Sequence, residues 1–398
     1  MTRVTETTDI AIVGGGICGL TTAIALEQRG LSPTVYEAAS EYRPVGAGIL
    51  LQTNALLVFD RLGIVDRIRS IGVPLDDARI LSPRGRLLQR FDLDALERTQ
   101  FEYGYVAIHR SDLQGILLEE LDADIRMDKA CAEIEETAPP TARFEDGTRI
   151  HPDLLVGADG IDSTVRGAVA PDADVQTLDT PVYRALATCE LPERHRARGL
   201  EVWGEGTYTG GAPIDADRFY WFATAPDQLA ARTPASTNLI ERIRTYYGTF
   251  PEPVPTVIDA IEAEDIVTTG LADVPPLDHW SRGSVVLAGD AAHGMLPFAG
   301  QGAAQAIEDA LTLATTLDAY ADHRPAIDAY EGERKQRADR VRRESGWLGA
   351  LGTSQSKLVC RARNLAVDLL PSSVFSRLRR ERLTDTSLPA AVTTDSTA

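Results

Sequence analysis

Three glycines spaced Gly14-x-Gly16-x-x-Gly19, set between an apolar run and a helical stretch, constrain this chain more than any other feature. Ile10-Ala-Ile-Val13 is short, branched and wholly apolar, the composition of a strand buried on both faces of a parallel sheet. Residues 20–29 carry the pattern of a helix that Gly30 closes. In such a strand–turn–helix, Gly14 permits the tight turn and Gly16 lets a pyrophosphate approach the backbone. Gly19 allows close helix–strand packing. The helix N-terminus offers free N–H groups and partial positive charge to that anion, so Ile17 and Cys18 join the candidate cofactor-binding set. A second strand at 33–37 ends on Glu37, roughly 20 residues past the glycines, where a carboxylate takes the hydroxyls of an adenosine ribose. This order predicts a dinucleotide site without separating FAD from NAD.

At 398 residues the chain is long enough for two or three domains with ample cores. It shows no apolar run of membrane-spanning length and no basic segment leading into an apolar one, so a cytoplasmic location is expected. Cys18, Cys131, Cys189 and Cys360 are scattered, with no metal-binding spacing, and read as free thiols. The net charge of −19 argues against a nucleic-acid partner. Lysine occurs only at 129, 335 and 357, a bias that either salt adaptation or a GC-rich genome produces.

A second glycine-rich segment, Val285-Val-Leu-Ala-Gly-Asp290 through Pro297 to Gly300-Gln-Gly302, again feeds a strand into glycines at a helix N-terminus. A second phosphate site on one dinucleotide is redundant. A carboxylate on a ribityl chain, with backbone N–H groups facing a flavin's pyrimidine edge, is not. Between the two segments lie Gly157-Ala-Asp-Gly160 with Ser163 and Arg166, a helix from about Ser111, and hairpins turning at Pro83-Arg-Gly85 and Glu145-Asp-Gly147. From 181 to 270 alternating strands with aromatics predict an inserted antiparallel sheet, and helices return from Gly302 to about 382. The organisation expected is an FAD-binding domain in three parts (1–75, 101–180 and 271–335). A substrate-domain hairpin (76–100) and sheet (181–270), C-terminal helices (336–382) and a disordered tail (383–398) complete it.

These three motifs, in order and spacing, resemble the single-component FAD-dependent monooxygenases, the family of p-hydroxybenzoate, salicylate and urate hydroxylases and zeaxanthin epoxidase. The resemblance covers about residues 8 to 345 and is most specific where the third motif runs into Ala306-Ile-Glu-Asp-Ala310. It implies an α/β fold: a Rossmann-like βαβ FAD domain, an inserted antiparallel substrate sheet and C-terminal helices. It places Glu37 on the adenosine ribose, Arg43 near the FAD and Arg110 on the pyrophosphate. Asp159 would serve both FAD and NAD(P)H, and Asp290 the ribityl region. Pro297 and Gly300, Gln301 and Gly302, with Ala303 at the helix start, would line the isoalloxazine.

The chemistry implied is reduction of FAD by NAD(P)H, addition of O2 at the flavin C4a, and oxygen transfer from the hydroperoxide to an electron-rich ring. An epoxidase or reductase of isoprenoid double bonds, or a flavin-binding sensor without turnover, are the alternatives. A pocket to shield the hydroperoxide is expected from Tyr183, Trp203, Tyr208, Tyr220, Trp221 and Phe222, half of which face away from it in an alternating strand. Arg184, Trp203, Tyr220 and Pro297 are the substrate candidates, Arg184 because guanidinium pairs with carboxylate or phenolate. A sheet-surface salt bridge is the competing role for Arg184. His293 reads as structural, no acid or base is identified, and no metal site is expected. Residues 358–383 mix apolar residues with Arg361, Arg363, Arg377, Arg379, Arg380 and Arg382, which suits a helix packed on the enzyme or one lying on an anionic membrane.

Overall fold

The computed structural model describes residues 5–6, 9–43, 47–96, 102–224, 229, 238–371, 374 and 377; the expected tail at 383–398 lies outside them. The strand Ile10–Val13 is buried along its whole length. Its neighbours in a six-stranded sheet are Leu154–Gly157 on one side and Pro33–Tyr36 on the other, both parallel to it. Val285–Leu287 extends the sheet beyond Leu154–Gly157, also in parallel. In this register Val13 is opposite Tyr36 and Gly157, and Gly157 is opposite Leu287. The turns after all of these strands therefore leave the sheet at one level of its carboxyl edge. Strand order reverses there, the position at which open α/β sheets bind ligands.

The first helix spans Ile17–Glu27, earlier than residues 20–29, because Gly16 caps it in extended conformation and accepts from the Leu20 N–H. Its Gly19 and Leu20 side packs into the core, and Cys18 reaches the long helix Gly302–Ala319, donating to the Ala306 carbonyl at 3.6 Å. The two glycine-rich segments are thereby packed directly on each other.

A seven-stranded sheet forms the other half. It runs in the order Val267–Asp273, Gln176–Thr188, Arg218–Thr224, Tyr208–Pro213, Arg198–Trp203, Asp77–Leu81 and Leu87–Asp92. It departs from the purely antiparallel expectation at one pairing: Asp77–Leu81 lies parallel to Arg198–Trp203. The hairpin 77–92 belongs to an earlier stretch of chain, so no tight turn dictates its direction at that edge. A three-stranded sheet of Gly48–Leu51, Tyr105–His109 and Val73–Leu75 lies between the two halves.

Period-two alternation sorts the aromatics. Phe219 and Trp221 face outward into a cluster with Tyr246 and Tyr247 from the helix Leu239–Tyr247, and Tyr183 joins them. Trp203, Tyr208, Tyr220 and Phe222 face inward. The helix Lys357–Leu369 packs through Cys360 and Arg363 and turns Leu358, Leu365 and Leu369 outward. Among the described residues, no helix is long and apolar enough to cross a membrane.

Candidate cofactor and substrate site

Each glycine of the first turn has a different neighbourhood. Gly14 adopts φ +105, and a Cβ there would collide with the Ala158 carbonyl. A Cβ on Gly19 would strike the Gly14 carbonyl oxygen, whereas one on Gly16 would meet no atom within 4 Å. Gly14 and Gly19 thus serve packing, and Gly16 opens onto space. Two clefts of ≈ 470 and ≈ 450 Å³ flank the turn, sharing Gly16 and Glu37.

Glu37 closes their common wall. Its carboxylate accepts from the Gly15 N–H at 2.7 Å and the Ala39 N–H at 2.9 Å, leaving lone pairs toward the clefts. Arg43 and Arg110 line the first cleft. Arg43 is also ion-paired with Glu41 at 2.7 Å and 73% exposed, so it sits at the rim. Tyr42, which sequence reasoning missed, presses its hydroxyl against Gly15 and has no hydrogen-bond partner among the described residues. Burial and the Glu37 charge push that phenol up to about 12, so it remains a protonated donor.

Asp159 lies on the second cleft, but its carboxylate is already engaged. It accepts from Ser163 Oγ at 2.5 Å and from the Val165 N–H at 3.1 Å, fixing the start of the helix Thr164–Val169. Burial raises its carboxyl, and those donors offset part of the rise. The buried Arg166 guanidinium bridges the turns, donating to the Ile161 and Ala291 carbonyls.

The third turn is built from Gly289 at φ +61, Asp290 at the N-terminus of the short helix Asp290–His293, and Gly300 at φ +63. Asp290, Pro297 and Gly300 are exposed, while Gly302 and Ala303 are half-buried at the start of the long helix. Ile17 and Cys18 are buried, and Gln301 is completely so. The Gln301 carboxamide donates to Gln52 at 2.7 Å and to Asn54 at 3.2 Å. Gln52 in turn donates to the Ala299 and Gly300 carbonyls, both at 3.0 Å.

Behind this loop sits a fully buried charged cluster. Glu308 accepts from Asn54 at 2.6 Å, from Arg337 at 2.6 and 2.8 Å, and from Arg334. Asp309 accepts from Arg334 at 2.7 Å, from the Gly289 N–H at 2.8 Å, and contacts His293 Nε2 at 2.6 Å. Burial alone would raise both carboxyls. For Glu308 the two arginines outweigh it, and for Asp309 His293 and Arg334 do, so both are held below the usual range. Glu308 thus holds the Pro297–Gly302 loop through Asn54 and Gln301, and Asp309 holds the Gly289 turn. His293 is buried in this cluster against Asp309 and Trp280. The legible signal was the adjacent acids Glu308 and Asp309 in the middle of a largely apolar helix, with Arg334 and Arg337 one turn apart to receive them.

Opposite this loop is the inward face of the seven-stranded sheet. Tyr208 meets Phe298 edge-on with centroids 5.4 Å apart, and Trp203, Leu296 and Phe298 share one cluster. Tyr220 rests on the bare backbone of Gly48, where any Cβ would collide with it. Arg184 lies on the same inward face, donating to Thr269 at 3.0 Å, and its charge acts on the Tyr220 phenol. Among the described residues no carboxylate pairs with it. Burial raises the Tyr220 phenol, with Arg184 and Arg110 offsetting part of the rise.

These residues fit FAD: an open-faced glycine, a ribose-ready carboxylate and an exposed acid beside glycine N–H groups stand along one sheet edge. Comparison with known proteins agrees. A family described as FAD binding domain matches residues 7–345. Aurachin C monooxygenase/isomerase of Stigmatella aurantiaca is 33% identical, over 93% of this chain and 97% of that protein. The 3-amino-4-hydroxybenzoate 2-monooxygenase of Streptomyces cremeus is 34% identical, over 84% and 85% respectively. Klebsiella pneumoniae HpxO, solved with FAD and uric acid, superposes with a TM-score of 0.84 at 25% identity, covering 96% of this chain and 98% of that one. The chain belongs to the FAD binding domain family, and it is an FAD-dependent monooxygenase.

Proposed function

We propose that the protein inserts one atom of O2 into an electron-rich aromatic or heteroaromatic ring held between the Pro297–Gly302 loop and the inward face of the sheet. Bound FAD, reduced by NAD(P)H, supplies the oxygen activation. Glu37, Tyr42 and Arg110 would hold its ADP portion, Asp290 the ribityl chain, and the N–H groups at Gly300 to Ala303 the pyrimidine edge.

Arg184 and Tyr220 carry the reading of the substrate end. Burial keeps the Tyr220 phenol protonated beside Arg184, so its proton is available to donate to an oxygen on the ring. Two cations, Arg184 and Arg110, act on that phenol, a field that favours a phenolate or carboxylate substrate. Trp203, Tyr208 and Phe222 keep water from the reacting face.

The test tracks NAD(P)H oxidation, H2O2 release and oxygen incorporation from labelled O2 across hydroxy- and amino-substituted aromatic acids and quinolones. Coupled oxidation with label in the product is expected for at least one class. Peroxide release without incorporation for all of them would overturn the proposal.

A further inference from the structure

Beyond Tyr220 and Phe222 the inward face continues into a second space of ≈ 80 Å³, enclosed between the seven-stranded and three-stranded sheets. Leu50 and Leu75 form one wall and Ile80, Ala212 and Phe222 the other. The small residues Ala78, Ala107 and Ala212 keep it open, since longer side chains there would fill it. Its polar residues, Arg79, Gln89 and Glu201, come from the strands farthest from Tyr220 in that sheet. Gln89 also latches the far end: its Nε2 donates to the Val367 carbonyl at 2.6 Å and the Leu370 carbonyl at 2.8 Å, tying down the end of the helix Lys357–Leu369.

We infer that this cavity is a subsite for an apolar substituent, so that the natural substrate is a ring bearing a short aliphatic chain. The inference rests on the ring-binding reading above. Leu50, Leu75, Ile80 and Phe222 line its part beside Tyr220, and a cavity with apolar walls takes up hydrocarbon. A cavity of about 150 Å³ takes a six-carbon benzene, so ≈ 80 Å³ takes about three to four carbons. Each buried methylene contributes about 0.8 kcal/mol, or roughly fourfold in affinity. A longer chain must displace the Gln89 latch.

The experiment titrates para-alkylphenols from methyl to hexyl into the FAD-loaded enzyme, read by the flavin difference spectrum. Affinity should rise about fourfold per carbon, roughly 60-fold from methyl to butyl, and then level or fall. Ala212→Leu should flatten the rise, and Gln89→Ala should move the break to longer chains. A flat or falling series in the wild type, or no binding by any member, overturns the subsite. Because binding is read apart from turnover, phenols that bind with the expected slope but are never oxygenated would refute only the hydroxylation reading.

Discussion

Replacing Gly16 with alanine should separate cofactor binding from folding. The new methyl meets no protein atom within 4 Å, and the backbone there, at φ −76 and ψ −174, is open to any residue. Two small effects on the apo protein oppose each other. Alanine is a poorer helix N-cap than glycine, a loss of about 0.5–1 kcal/mol. It also restricts the unfolded chain, a gain of about 0.4–1 kcal/mol. The net change in stability should stay within about 1 kcal/mol. The methyl does occupy the space through which a pyrophosphate would reach the turn. Losing one charge-assisted hydrogen bond, at about 1.5–3 kcal/mol, raises the FAD dissociation constant roughly 10- to 150-fold. Gly19→Ala is the contrast, because its methyl would strike the Gly14 carbonyl and force the helix off the strand. That variant should lose about 3 kcal/mol or more. Urea unfolding of the apo proteins and FAD titration by fluorescence quenching give the two quantities separately. If Gly16→Ala binds FAD as tightly as wild type, or unfolds as easily as Gly19→Ala, the assignment of these glycines is wrong.

Arg184→Met should raise KM for an anionic ring substrate about tenfold or more while leaving FAD affinity unchanged, since Arg184 lines neither cleft beside the glycine turn; an unchanged KM refutes its role as anchor. Tyr42→Phe should weaken FAD binding several-fold with no loss of unfolding free energy, because the buried hydroxyl has no partner to lose among the described residues. Glu308→Gln should destabilise the fold by about 3 kcal/mol or more, as it strips a partner from Arg334 and Arg337. Glu308 and Asp309 both have lowered folded-state values, so their stabilisation is complete above the unfolded carboxylate range, near pH 4, and fades as pH falls through the lower folded values. The acid limb of the stability profile should therefore flatten in Glu308→Gln, and parallel limbs for variant and wild type would contradict the buried-pair account.

How much was legible in the chain varied with the range of the interaction. The first turn was readable because strand, glycines, helix and acid lie within 30 residues, and backbone geometry over that span is dictated by local sterics. The strand at 285–287 and the turn at Gly289 were readable for the same reason. Trp221 and Tyr220 show the limit: alternation required them to face opposite ways, yet their own residues could not say which way was inward. The helix Leu239–Tyr247 settled that by covering Trp221, leaving Tyr220 beside Gly48.

Local chemistry in the sequence thus determined that strand-to-glycine turns exist at 14–19 and 289–302, and what kind of group each can receive. Tertiary structure alone decided that Val13, Gly157 and Leu287 end side by side, that Glu308 and Asp309 brace the loop from behind, and that an apolar cavity opens past Tyr220. The physical reason is separation along the chain. Register between strands and the pairing of buried charges join residues tens to hundreds of positions apart, and their energies are set by packing that no short window of sequence contains.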